Sequence, residues 1–261
     1  MKDPGTLALR DAGSAAATPP ARRVRERLVA LGYGWSYDLI VRGFPPYQAL
    51  LDEVAHVVGR AAAAAPHRAA VKVLDVSCGT GTVAARLARD GYRVLGVDGV
   101  AHLVEVARRR HGAGANPAFR HLDVARDGVP EAGTHDVLVS MHTLYWHPNP
   151  RGVLDACRRA LRSGGHGVFL TYTRPARVLQ TFRRIRQTQG TGRALRALRW
   201  LVPTAAFEAF REYEPQYLSR EQFADALHRA GFEVLDIRET FLAGLSLLAW
   251  VRAAEAGADG A

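Results

Sequence analysis

The stretch Val73-Leu74-Asp75-Val76-Ser77-Cys78-Gly79-Thr80-Gly81-Thr82 constrains the fold more than any other part of the chain. Its apolar residues, with Val71 before them, have the composition of a buried strand, and the run stops at two glycines. A missing Cβ lets Gly79 and Gly81 take unusual dihedrals and lets the backbone come close to a ligand. Thr82 then begins a helix whose free N–H groups face the crevice. Strand, glycine turn and helix in this order form the first βα unit of a nucleotide-binding domain, in which ligands collect at the carboxyl ends of the strands.

Two ligand classes use such a turn. Gly79-x-Gly81-x-x-Ala84 satisfies the dinucleotide fingerprint, in which a pyrophosphate rests on the positive end of the helix. Asp75 weighs against it, because a carboxylate facing the pocket repels a pyrophosphate and attracts a cation such as the ammonium of an amino-acid moiety. The next strand, Tyr92-Arg93-Val94-Leu95-Gly96-Val97, ends in Asp98, where a carboxylate accepts hydrogen bonds from both ribose hydroxyls. Both ligand classes want that acid. A third strand, Ala118-Phe119-Arg120-His121-Leu122, ends in Asp123, which could accept from an exocyclic adenine amine. One strand-tip acid as readily caps the following helix or loop. Three in succession beside a glycine turn point to a nucleotide-like ligand.

These residues resemble the class I S-adenosylmethionine-dependent methyltransferases, particularly the branch acting on small molecules, quinones and lipids. The likeness runs from about Tyr33 to Arg252. The family's signature, an acid followed by three small residues at alternate positions, falls on Asp75, Ser77, Gly79 and Gly81, with Ser77 a departure from glycine. Asp136-Val137-Leu138-Val139-Ser140 is similar to its fourth strand, Thr143-Leu144-Tyr145-Trp146-His147-Pro148 to the loop after it, and Leu161-Arg162-Ser163-Gly164-Gly165 to the turn before strand five. The resemblance implies a Rossmann-like α/β fold: a seven-stranded, mostly parallel sheet with helices on both faces and an antiparallel last strand in a C-terminal hairpin. It implies S-adenosylmethionine as cofactor, with S-adenosylhomocysteine as product. The cofactor would be held by Tyr37, Asp75, Ser77, Gly79, Gly81, Asp98, Gly99, Asp123, Val124 and Ser140.

At 261 residues and 48% hydrophobic composition, the chain is able to bury a large core without disulfides or metals. Its two cysteines, Cys78 and Cys157, have no zinc or disulfide spacing, which suits a reducing, cytoplasmic setting, and no metal is expected. No apolar run has the length of a signal sequence core or a membrane span. The formal net charge is +10 and almost all arginine, since the lysines are Lys2 and Lys72. Together with the abundance of alanine, the arginine excess also fits a GC-rich coding bias. Yet Arg177, Arg183, Arg184, Arg186, Arg193, Arg196 and Arg199 cluster before one acid, Glu208, and such a segment favours anionic partners. Leu195, Leu198 and Leu201 recur at helical spacing among these arginines and run into Trp200, as in an amphipathic helix that covers a site or lies on a membrane surface. A lid is the preferred role. Nothing in the pattern supports nucleic-acid binding.

The organisation reads as a disordered leader (1–20), an N-terminal helical cap (21–66), a cofactor-binding core (67–173), a basic helical insertion or lid (174–218), a C-terminal helix and β-hairpin completing the core (219–252), and a disordered tail (253–261). The cap holds helices at 22–31 and 47–65 around Tyr33-Gly34-Trp35-Ser36-Tyr37-Asp38, from which Tyr37 is the candidate to close the pocket. Ser219-Arg220-Glu221-Gln222 forms a capping box that starts a helix ending near Gly231, and strands at 232–240 and 245–251 follow.

Methyl transfer needs alignment and a dry cavity more than acid–base machinery, and a base only when the nucleophile must lose a proton. His142 and His147 flank the loop after strand four, with His142 the preferred base and Tyr145 placed to orient an acceptor. Tyr172 and Thr173 at the tip of strand five would line its pocket. The expected partner is a small-molecule acceptor, with anionic and lipid-like character both compatible with the basic segment. The oligomeric state is open. Two other readings stand: an NAD-dependent oxidoreductase, and a protein that binds S-adenosylmethionine but catalyses a reaction other than methylation. A third, a basic protein that keeps the fold for binding alone, is opposed by the complete set of ligand residues.

Overall fold

A computed structural model describes residues 44–112, 114–129, 131–175, 177–209 and 215–254. The leader, the 22–31 helix, the aromatic segment with Tyr37 and the tail from residue 255 lie outside the described residues. Helix α1 (Pro45–Ala61) leads into β1 (Lys72–Val76), α2 (Thr82–Arg89), β2 (Arg93–Asp98), α3 (Ala101–His111), β3 (Ala118–His121), α4 (Val124–Asp127), β4 (His135–Met141), α5 (Pro150–Ala160) and β5 (Leu161–Tyr172). Then come α6 (Val178–Gln189), α7 (Thr191–Ala209), α8 (Arg220–Arg229), β6 (Phe232–Thr240) and β7 (Ser246–Ala253). The strands form one seven-stranded sheet in the order β3-β2-β1-β4-β5-β7-β6. Neighbours from β3 to β5 are parallel, and β7 runs antiparallel to both β5 and β6. This is the Rossmann-like sheet with a closing hairpin that the sequence implies.

The β-branched runs are buried on both faces because helices cover both. Val73, Val137, Val139, Val168 and Leu170 pack into a core with α1, α2, α3, α6 and α7. Leu74, Val76, Leu138 and Phe169 pack with α5 and α8 on the other face. The capping box is present at α8: Gln222 N–H donates to Ser219 Oγ and Ser219 N–H to Gln222 Oε1. The expected turn at Leu161–Gly165 is absorbed into β5 as an irregularity. His135 pairs with Leu161 and Val137 with His166, so the residues between are looped out of register, with Gly164 at φ 68°.

The insertion differs from its expected leucine stripe. In α7 the buried face is Ala194, Ala197, Trp200 and Leu201, whereas Leu195 is 56% exposed. A bulky indole reaches the core where small alanines let the helix come close, and that pattern overrides the leucine spacing. Ile185, Trp200 and Leu201 belong to the same core cluster as β5. Among the described residues, no helix is long and apolar enough to cross a membrane.

Candidate functional site

The parallel strands point their carboxyl ends to one edge of the sheet, and the turn after β1 is built there from backbone and acids. Ser77, Gly79 and Gly81 have φ of 56°, 55° and 79°. Serine thus occupies a left-handed position suited to glycine, at a cost of about 1 kcal/mol. The two glycines are needed for different reasons. A Cβ on Gly81 would lie 2.7 Å from the Phe119 ring and 3.0 Å from Ala107 Cβ, so this glycine seats α2 against its neighbours. A Cβ on Gly79 would meet nothing within 4 Å among the described residues, so the space beside it is open there.

The acids hold the turn. Asp98 accepts from Gly79 N–H at 2.9 Å through Oδ2 and from Val100 N–H at 2.8 Å through Oδ1. Asp75, read from sequence as facing the pocket, instead lies under the turn: it is 1% exposed and accepts from Ala84 N–H at 3.0 Å. The reason is local, because Gly81 precedes α2 without a side chain to cap it and Asp75 supplies the missing acceptor. Burial pushes the Asp75 carboxyl up to about 8, with the Ala84 N–H pulling down and Asp98 pushing further up. Burial also raises Asp98, against the two N–H donors. Asp123 is the opposite case. Its bond from His147, at 3.5 Å from Nε2, holds it below the usual carboxylate range, and it caps α4 by accepting from Ala125 N–H. His147 Nδ1 accepts from Asn149 N–H, which leaves the proton on Nε2 to face Asp123. Gly99 brings the β2 and β3 tips together, its Cβ position lying 3.5 Å from Asp123 Cβ.

The other expected residues have structural work as well. Ser140 is buried and donates to Thr143 Oγ1 at 2.9 Å, tying the β4 tip to the following loop. Val124 is buried in the α5–α8 core.

Beyond β4 the edge is aromatic. His142, at φ 57°, stacks on Tyr172 with centroids 4.0 Å apart, and its Nε2 lies 2.9 Å from Ser246 Oγ. Burial pushes its imidazole down to about 3, so the ring is neutral at physiological pH. Tyr145 meets Tyr172 edge-on at 4.7 Å, and Trp200 meets Phe241 edge-on at 5.1 Å. Phe241, Leu242 and Ala243 take φ of 53°, 43° and 61°, and Gly244 takes 77°. Leu245 N–H closes this turn on Phe241 O at 2.8 Å, so the β6–β7 connection is one turn of left-handed helix, costing about 1–2 kcal/mol for each non-glycine residue. Packing on Trp200 and the bond from Thr173 N–H to Leu245 O hold it there.

A methyltransferase domain matches residues 47–237 of this sequence. The chain belongs to that family. Ubiquinone biosynthesis O-methyltransferases of Cronobacter sakazakii and Acinetobacter baylyi are 36% and 35% identical to this methyltransferase-domain chain over 107 and 105 residues. Those segments are 41% and 40% of this chain, which spans 44% of the length of each relative. Magnesium protoporphyrin IX methyltransferase from Synechocystis PCC 6803, solved with S-adenosylhomocysteine, aligns with a TM-score of 0.61 at 15% identity over 89% of this chain and 98% of its own. The N-methyltransferase NodS of Bradyrhizobium japonicum, also solved with S-adenosylhomocysteine, aligns with a TM-score of 0.54 at 15% identity over 82% and 90%. At these identities the likeness to solved structures is one of fold.

On this methyltransferase-domain fold, Asp75, Ser77, Gly79, Gly81, Asp98, Gly99 and Asp123 gather at the β1–β3 tips, while His142 and Tyr145 sit at the β4–β5 tips. Sequence reading missed Arg174 and Gln216. Arg174 Nη2 and Gln216 Oε1 are buried without a hydrogen-bond partner among the described residues, and Gln216 N–H donates to Tyr145 O at 2.7 Å. Native proteins seldom leave such atoms unpaired, and an ordered water or a ligand ordinarily completes them. No spacing signals either residue, because segment 215–219 reaches the site only through the fold of the insertion.

Proposed function

We propose that this chain transfers a methyl group from S-adenosylmethionine to an O, N or C atom of a small or amphiphilic metabolite in secondary metabolism. When bound, that cofactor supplies an electrophilic methyl on a sulfonium and leaves as S-adenosylhomocysteine. The single observation that carries the reading is the open space at Gly79 beside Asp98, next to a half-buried Asp123 held ionised by His147. Gly79 admits the close approach of the ligand, and Asp98 keeps lone pairs for ribose hydroxyls beyond the two N–H donors it serves. Asp123 accepts from the adenine amine. Asp75 acts one step removed, by fixing the start of α2. Quinone-pathway relatives favour an amphiphilic acceptor, and the arginine-rich α6–α7 pair favours an anionic or lipid-like one, with contact at a membrane surface as a further consequence.

His142 enters as a neutral ring anchored to Ser246. Its Nδ1 has no hydrogen-bond partner among the described residues. A base of so low a pKa does not ionise an acceptor in advance; it takes the proton as the new bond to carbon forms, when the acceptor's acidity is greatest. Tyr145 orients the acceptor from the next turn. Calorimetric titration with S-adenosylmethionine, S-adenosylhomocysteine and NAD tests the cofactor, with submillimolar binding of the first two expected. Binding of NAD alone would transfer the chain to the oxidoreductase reading. Labelled-methyl transfer to extract metabolites then separates methylation from another reaction on the same cofactor.

A further inference from the structure

A cavity of about 590 Å³ opens between α1, the α6–α7 junction and the left-handed β6–β7 turn. Its volume suits a small organic molecule. Ala49 and Leu50 of α1 line one side and Phe241 and Leu242 of the turn another, while Arg193 and Arg196 project from the first turns of α7. Both arginines are exposed, and among the described residues neither has an ion-pair or hydrogen-bond partner. The acid in the lining, Glu53, is already engaged: Arg238 Nε donates to it at 2.7 Å and Thr240 Oγ1 donates to its other oxygen. Among the lining residues the uncompensated charge is therefore positive and the walls are apolar, with the Glu239 carboxylate standing behind Gly244, just outside the lining.

The groove also borders the reacting edge. Phe241 is shared between its wall and the ring cluster, with its centroid 6.3 Å from that of His142. Three consecutive non-glycine residues held at positive φ are strain that survives only where the surroundings impose it, and such strain clusters at ligand clamps.

We propose that this groove binds an amphiphilic organic anion, the methyl acceptor, with its apolar body against Leu50, Phe241 and Leu242 and its acidic group on Arg193 and Arg196. The assignment of the anion as acceptor rests on the methyl-transfer reading; the binding of the anion does not. A carboxylate or sulfonate paired with two guanidinium groups gains charge-assisted hydrogen bonds that a neutral analogue lacks.

The test uses a matched pair of fluorescent probes on the full chain: 1-anilinonaphthalene-8-sulfonate and N-phenyl-1-naphthylamine, which share their rings and differ in the sulfonate. The sulfonate probe is expected to bind about tenfold more tightly, and R193A/R196A to abolish that preference while changing the neutral probe less than about twofold. R193K/R196K should keep part of it, and R183A/R186A, on α6 and outside the lining, should leave it intact. Equal affinity for the two probes in the native chain, or an unchanged preference in R193A/R196A, would overturn the proposal. Displacement of the probe by decanoate marks a soluble acid as the source of the anion, and cosedimentation with phosphatidylglycerol vesicles that R193A/R196A abolishes marks a lipid headgroup. Failure of both would also overturn it. Because no cofactor is needed, a chain that binds the sulfonate probe but not S-adenosylhomocysteine refutes methyl transfer and keeps the groove, and the reverse refutes the groove alone. An acceptor found by labelled-methyl transfer should carry an acidic group, and its KM should rise about tenfold in R193A/R196A with kcat held; a neutral acceptor would refute the assignment.

Discussion

The two halves of the ligand-facing edge are built by different means. At the β1–β3 tips, carboxylates bind backbone N–H groups no more than 19 residues away: Asp75 to Ala84, Asp98 to Gly79 and Val100, Asp123 to Ala125. At the β4–β7 tips, contacts join residues far apart: His142 to Ser246, Phe241 to Trp200, Gln216 to Tyr145. The first half is a cradle fixed by short loops; the second is a wall assembled from the insertion and the hairpin. A cofactor common to many reactions suits the former, and an acceptor that differs between them suits the latter.

The largest effect that would sharpen this contrast comes from the two turn glycines. Gly81→Ala should cost about 3 kcal/mol in urea unfolding, since it adds a left-handed penalty to a collision with Phe119. Gly79→Ala should cost only about 1 kcal/mol of stability yet lower S-adenosylhomocysteine affinity about tenfold by calorimetry. Equal losses of stability would dissolve the distinction between a packing glycine and a ligand glycine.

Next, Asp98→Ala should weaken S-adenosylhomocysteine by about 2 kcal/mol, the cost of leaving ribose hydroxyls poorly paired. At a pH low enough to leave Asp98 partly protonated, binding to native protein should release protons, because hydroxyl donors favour the ionised form of a carboxyl whose pKa burial has raised. Calorimetry in buffers of differing ionisation enthalpy detects this, and an unchanged affinity in the variant removes Asp98 from the site.

On the acceptor side, His142 carries a pH signature. The folded chain keeps this ring neutral down to about 3, whereas an unfolded histidine protonates near 6.5. Below 6.5 the unfolded chain therefore binds the extra proton, and stability falls as pH drops towards 3. His142→Asn, which tolerates positive φ, should flatten that decline by about 1 kcal/mol in urea titrations and lower turnover with cofactor affinity preserved. Full turnover across the pH range would make His142 scaffolding. The smallest effect is a gain: Ala243→Gly should stabilise by about 0.5 kcal/mol by relieving one left-handed residue, less the added freedom of the unfolded chain.

The cradle was legible because its signals are local. An acid, alternate small residues and a helix start lie within ten positions of one another, and Asp98 and Asp123 each end a recognisable strand. What misled was direction: Asp75 reads as a pocket acid, but the uncapped start of α2 draws it beneath the turn. In the insertion, leucine spacing pointed to a stripe that the structure leaves partly exposed, because alanine and Trp200 make the closer fit.

Strand positions, the capping box and the glycine turn follow from hydrophobic period, capping residues and turn residues, each acting over a few positions along the chain, whereas the seven-stranded sheet and its antiparallel last strand were implied by the family resemblance. The orphaned atoms of Arg174 and Gln216, the left-handed turn at Phe241–Gly244 and the arginine-lined groove beside it arise only when β5, the insertion and the hairpin meet. Their energies depend on burial and on partners more than 20 residues away, and no local pattern along a chain records either.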